Sequence, residues 1–211
     1  MSTAMRFGTV PAQVPDACVE EILATAAAVV RTGTLSPSGH GSISLRMPSG
    51  DEALCTTAPS LRDVDERSLV RLRLDDEVPD ELAIHLVVHR ERPEIGCVIH
   101  THAPFATAFA AAGRPIGCWS EPMIEAGLGD GVPVVPYVRP GSAHAVTCIR
   151  RMLGAGRRAV LLANHGVLVL HETAAEAVSL AALIEEAAQL GLRAAAIGGP
   201  VEIPGRLRQL P

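Results

Sequence analysis

The chain has 211 residues, 48% of them apolar and 2% aromatic, with a formal net charge of −5, which suits one α/β domain whose core needs no disulfide staples. An acidic balance with so few aromatics excludes the basic face and stacking platforms of a nucleic-acid binder. All 18 basic residues are Arg, which excludes chemistry built on a lysine amine: Schiff bases, lysine-anchored pyridoxal phosphate and the P-loop lysine.

Residues 1–15 read as a flexible arm with a single arginine and no apolar signal core, so neither a secretory leader nor a membrane span is expected and the cytoplasm is the expected location. Five scattered cysteines (Cys18, Cys55, Cys97, Cys118, Cys148) without a C-x-x-C pair fit reduced, mostly buried thiols. A folded domain is expected over 16–200, followed by a tail over 201–211. Its first helix is predicted from Asp16 as N-cap, through Val19, Ile22, Leu23, Ala26, Val29 and Val30, to Gly33. Residues 36–41 form a loop by their turn chemistry, and Ser42 to Arg46 alternate as a strand. Short strands and turns follow over 51–74.

A second helix is predicted from Glu81 to Arg90, stopped by Pro93, with Glu81 and His85 on one face. Residues 95–102 read as a buried strand, 104–112 as a helix, and 128–137 as loop then strand. Residues 158–163 and 167–170 are two apolar strands joined at Asn164-His165-Gly166. Thr173 and Glu176 open a capping box for a long Ala/Leu helix to about Ile197. Alternating strands and helices indicate α/β or α+β, without a dinucleotide fingerprint.

Two features carry chemistry. His100 and His102, two apart at a strand end, point to one side of the sheet, and two neutral imidazoles so spaced make half of a metal site. His165 sits at a tight turn between strands, where a rigid frame presents its side chain. Read alone, each of these histidines, and Glu81 in a first helical turn, more commonly has a purely structural role.

Taken in order, Glu81-Leu-Ala-Ile-His85, His100-Thr-His102-Ala-Pro and Asn164-His165-Gly166 resemble the class II aldolase/adducin family. Gly41-Ser-Ile-Ser-Leu-Arg46, Thr57-Ala-Pro-Ser60 and Pro136-Tyr-Val-Arg-Pro-Gly-Ser142 resemble further segments of it, so the likeness covers about residues 17–195. The resemblance implies a single-domain α/β fold of three layers, with helices on both faces of a mostly antiparallel sheet. It also implies a homotetramer with active sites between subunits. By the same resemblance, His100, His102 and His165 would bind one divalent metal per chain, Zn²⁺ first, with Mn, Co or Fe as alternatives. Glu81 would act as the acid/base beside an enolate or enediolate stabilised by the metal.

The chain departs from the family pattern where sugar-phosphate aldolases grip phosphate. Ser42 replaces an Asn, Leu61 a Gly, and Pro79 and Asp80 a pair of serines. Asp80 would repel a phosphate if it faced the pocket, and the connection from Leu74 to Glu81 is short. The tyrosine such aldolases use as proton donor aligns with Glu121-Pro122-Met123, leaving Glu121 as the candidate acid. Ser42, Ser60 and His40 are the candidate substrate-binding residues. The implied function is aldol-type or decarboxylating cleavage of a small hydroxy-carbonyl or hydroxy-keto-acid substrate. An epimerase or dehydratase on the same site, a three-histidine iron redox centre and a non-enzymatic adducin-like scaffold are the alternatives.

Overall fold

Strand and helix periodicities in the chain close around one central sheet. A computed structural model describes residues 14–78, 81–139, 142–154 and 156–208, except the side chain of Glu81. The elements run α1 (Asp16–Arg31), β1 (Gly41–Arg46), β2 (Glu52–Thr56), β3 (Leu69–Arg73), α2 (Glu81–Glu91), β4 (Cys97–Thr101) and α3 (Pro104–Ala111). They continue with α4 (Glu121–Glu125), β5 (Val134–Val135), α5 (Ala143–Leu153), β6 (Ala159–Leu162), β7 (Gly166–His171) and α6 (Ala174–Ala195). The sheet order is β3-β2-β1-β4-β7-β6-β5. Every pairing is antiparallel except β5 with β6.

Because side chains alternate across a strand, each central strand feeds two cores. Ile43 and Leu45 of β1, Ile99 of β4, and Val167 and Val169 of β7 face α1, α3, α4 and α6. Val98 of β4 and Leu168 and Leu170 of β7 pack against Ile84 and Val88 of α2 and Ile149 and Leu153 of α5. The fold is therefore the three-layer α/β sandwich expected, built on a mostly antiparallel sheet. Near the open end of the second core, apolar side chains give way to Ser42, Ser44 and His100, all buried on the α2 face.

Several local expectations shift. Asp16 is the first helical residue of α1, not its cap; Pro15 holds the cap position and makes no side-chain cap bond, since proline has no oxygen on its side chain. The arm falls largely, and Pro79 and Asp80 wholly, outside the described residues. Thr173 does accept from the Glu176 N–H, but the Glu176 carboxylate takes the Thr173 hydroxyl proton instead of the return backbone bond of a capping box. Residues 203–208 turn back onto the body of the fold: Ile203 N–H donates to the Cys118 carbonyl and Arg208 to that of Gly129. Among the described residues, no helix is long and apolar enough to cross a membrane.

Two polar side chains lock the layers. Arg46, at the end of β1, donates to the carbonyls of Ile95, Gly50, Arg92 and His89, so one guanidinium ties the sheet to the last turn of α2. Glu185 of α6 is buried, and its two oxygens accept from the backbone N–H groups of Phe105 and Ala106 at the start of α3, each at 2.8 Å. Burial pushes this carboxyl above the ordinary range, and the two N–H bonds work in the opposite sense. Glu185→Ala should leave two helix-start donors without their acceptor and lower stability by about 2–4 kcal/mol, read as a fall in urea midpoint at constant slope.

Candidate metal centre

β4 ends at Thr101, so His100 belongs to the strand and His102 lies just past it. His165 occupies the turn between β6 and β7, where Asn164 takes the left-handed conformation (φ 57°) that Asn tolerates better than most residues. This tight reversal carries His165 over the end of β4. The three rings converge: centroids are 5.1 Å apart for His100 and His102, 4.7 Å for His100 and His165, and 4.9 Å for His102 and His165. One ligating nitrogen from each lies within 4.8 Å of the other two. His100 is buried, while His102 and His165 are half-buried, so the cluster opens to one side.

Backbone geometry aims the innermost ring. His100 Nδ1–H donates to the Val167 carbonyl at 3.0 Å, which puts the lone pair on Nε2. Glycine makes the convergence sterically feasible. A Cβ on Gly166 would lie 2.4 Å from the Thr101 carbonyl oxygen and 2.9 Å from the His102 ring. Three imidazoles from one strand end and one turn form a donor set that suits Zn²⁺ and neighbouring divalent ions. A second grouping, His171, Glu172 and Glu176, is more exposed. Its Glu172 is already held by Arg158, whose hydrogen bond brings that carboxyl down to about 2.

The other sequence candidates fall at different distances from this trio. The His40 ring stands 5.8 Å from that of His102 and is bound through Nδ1 to the Pro59 carbonyl. Ser42 lies directly across the β1–β4 ladder from His100 and is buried on the same face. Ser60 receives the Arg62 N–H as the cap of a short 3-10 turn and packs against Gly39. Glu81 is the first residue of α2, whose next turn brings His85 against Ser42 and Ser44. Glu121 is exposed at the start of α4, whose Met123 and Ile124 enter the core on the opposite face of the sheet from Ser42. Within one chain the described contacts do not bring Glu121 to the histidines.

Sequence reading left three contributors unnoticed. Ser44 and His89 complete a buried polar chain behind Ser42, signalled by the period of two in β1 and of four in α2. A hollow beside His165, lined by Ile84, Val135, Tyr137, Ile149 and Leu162, needs α5, a helix absent from the elements predicted above.

The sequence and the fold are those of a known family. The sequence matches the Class II Aldolase and Adducin N-terminal domain over residues 20–192, and the chain belongs to that family. It is 32% identical to the 5-methylthioribulose-1-phosphate/5-deoxyribulose-1-phosphate aldolase of Rhodospirillum rubrum, over 86% of this chain and 84% of the relative. It is 30% identical to the 3-oxo-tetronate 4-phosphate decarboxylase of Escherichia coli, over 85% of this chain and 88% of that protein. In fold it is similar to an L-fuculose 1-phosphate aldolase structure, with a TM-score of 0.81 at 23% identity, over 92% of this chain and 94% of the other. The relatives so named are lyases, and this chain is an enzyme of that class.

Proposed function

We propose that the protein is a divalent-metal-dependent carbon–carbon lyase acting on a small hydroxy-carbonyl or hydroxy-keto-acid compound, by aldol cleavage or by decarboxylation. The observation that carries this reading is the convergence of His100, His102 and His165 within 4.8 Å. Zn²⁺ suits three imidazoles best, and Mn, Co and Fe follow. When bound, such an ion supplies Lewis acidity to a substrate carbonyl, offsetting the charge that develops on oxygen as the neighbouring bond breaks. A chain without lysine has no iminium route to the same end.

The protein's own residues divide the remaining work. The Val167 carbonyl orients His100. Glu81, at the start of α2, moves the proton at the reacting carbon. Ser42, Ser60 and His40 line the substrate side. Glu121 serves as an acid only across a subunit boundary, which a homotetramer with shared sites provides. The two named relatives perform an aldol cleavage and a decarboxylation, which supports keeping both bond cleavages open to this chain. Absence of a long apolar helix among the described residues agrees with a cytoplasmic enzyme.

Elemental mass spectrometry on untagged protein tests the centre. About one equivalent of Zn, Mn, Co or Fe per chain is expected, lost in His100→Ala while the circular dichroism spectrum is kept. No metal after reconstitution would overturn the metal-dependent reading. With metal present, screening hydroxy-keto acids and sugar phosphates by product analysis separates cleavage from decarboxylation and epimerisation.

A further inference from the structure

His100 and His165 are placed by the sheet, His100 within β4 and His165 in the turn that joins β6 to β7. His102 has a different support. The pairings of β4 with β1 and β7 end at Thr101, and α3 begins at Pro104. His102 and Ala103 alone span the gap. The place of the His102 backbone is therefore decided by where the first turn of α3 lies.

That turn has no cap from its own segment. Ala103 holds the cap position and makes no side-chain cap hydrogen bond, because a methyl group carries no acceptor. Pro104 follows without an N–H to satisfy. The next two donors, the N–H groups of Phe105 and Ala106, open the helix without partners inside it, in a region where Ala103 and Ala106 are both 0% exposed. Glu185 takes both. Its Oε1 accepts from Phe105 and its Oε2 from Ala106, each at 2.8 Å, from 80 and 79 residues further along the chain. The cap of α3 is thus supplied by α6. A Ser or Asp at position 103 would satisfy the same donors while leaving α3 to settle with its own loop; a carboxylate from α6 ties the turn to a second helix.

The far end of α3 is anchored beside another histidine, since the Ala110 carbonyl accepts the N–H of Asn164, the neighbour of His165. One helix therefore runs from the link that carries His102 to the turn that carries His165, and Glu185 fixes the end nearer His102. We propose that Glu185 is a positioning residue for the metal centre, holding His102 at the separation from His100 and His165 that a common ion requires. When one of its two bonds is lost, the first turn of α3 shifts and His102 moves with it, while β4 and the β6–β7 turn keep the other two rings in place. Glu185 acts through the backbone of residues 102–106 and not on the substrate. The inference rests on the reading of the three histidines as a metal centre.

Glu185→Gln keeps the shape of the side chain but turns an N–H group toward one of the two helix donors. Its Zn²⁺ affinity, measured on folded protein by competition with a chromophoric chelator, should fall about 10- to 100-fold, and the visible absorption of the Co²⁺ form should change. Leu72→Ala serves as the control. Leu72 lies in a separate cluster between β2, β3 and α2, so this variant should lose stability and keep the wild-type Zn²⁺ affinity and Co²⁺ spectrum. A purely structural Glu185 predicts that the two variants behave alike, and wild-type affinity in Glu185→Gln would overturn the proposal. Should that variant fail to fold, Glu185→Asp, with its carboxylate drawn back by one methylene, should show the same loss, and unchanged affinity there would count against the proposal equally.

The metal-free protein gives a second readout. In ¹⁵N-histidine spectra of the full chain without metal, Glu185→Gln should move the His102 ring resonances and leave those of His85 and His89, whose hydrogen bonds lie on the α2 face of the sheet. Unmoved His102 resonances would overturn the proposal. Failure of the wild type to bind metal would instead count against the metal centre, and these spectra would still decide the role of Glu185.

Discussion

Replacing Glu81 with Gln should lower kcat by about 10²- to 10⁴-fold, while metal content and melting temperature stay at the wild-type level. The amide matches the carboxylate in shape but cannot take a proton from carbon. Glu81 opens α2, and a carboxylate there is stabilised in its charged form by the helix dipole, the form a general base needs at neutral pH. A structural role for Glu81 predicts the opposite pattern, with stability falling and turnover kept. Kinetics on whichever substrate the screen identifies, alongside elemental analysis, separates the two. Full activity in Glu81→Gln would remove this residue from the mechanism.

What was legible in the sequence was whatever a local pattern could carry. The β4 alternation placed His100 and His102 on one side of the sheet, and the Asn164-His165-Gly166 turn was readable because its residues suit a sharp reversal. The helix beginning at Glu81 was readable from its start and from the stop at Pro93. Features that depend on register between distant segments were not. The approach of His40 to His102 depends on the loop over 36–41 meeting the end of β4. The Ser42–His85–Ser44–His89 chain depends on how α2 lies across β1. The five residues of α4 span little more than one turn, too short for a helical period to show. By contrast, α5 had its signals: Ser142 as N-cap, then Ala145, Ile149 and Leu153 along one buried stripe. Its omission hid the wall of the hollow beside His165.

The ambiguity of the individual histidines has the same origin. His85 and His100 both lie in regular elements and are both buried, yet one is enclosed by serines and the other faces two imidazoles. Spacing alone does not separate these environments. The two hydroxyls around His85 come from residues 41 and 43 positions away, so only the packed structure tells a hydrogen-bonded histidine from a candidate ligand.

Gly166→Ala should disrupt both the fold and the centre, because the space its methyl needs is occupied by groups that cannot rotate away. The added Cβ would lie 2.4 Å from the Thr101 carbonyl oxygen, 2.9 Å from His102 Cδ2 and 3.2 Å from His100 Cε1. The first of these is backbone within the β4–β7 pairing, where Thr101 sits opposite Val167. Relief therefore requires the ladder to part at Thr101, which His100 and His102 flank, just after the turn that carries His165. Overpacking of this kind costs about 3 kcal/mol, which corresponds to a fall of about 6–12 °C in Tm for a chain of this size. The metal measurement should move further than the stability. Three donors that must meet within bond length of one ion lose affinity when one shifts by a fraction of an ångström, so the variant should bind Zn²⁺ at least tenfold more weakly even where it remains folded. Calorimetry on the folded fraction at low temperature reads the two effects apart. Wild-type Zn²⁺ affinity in Gly166→Ala would mean that the strand end relaxes independently of the histidines, and that the glycine serves only the sheet.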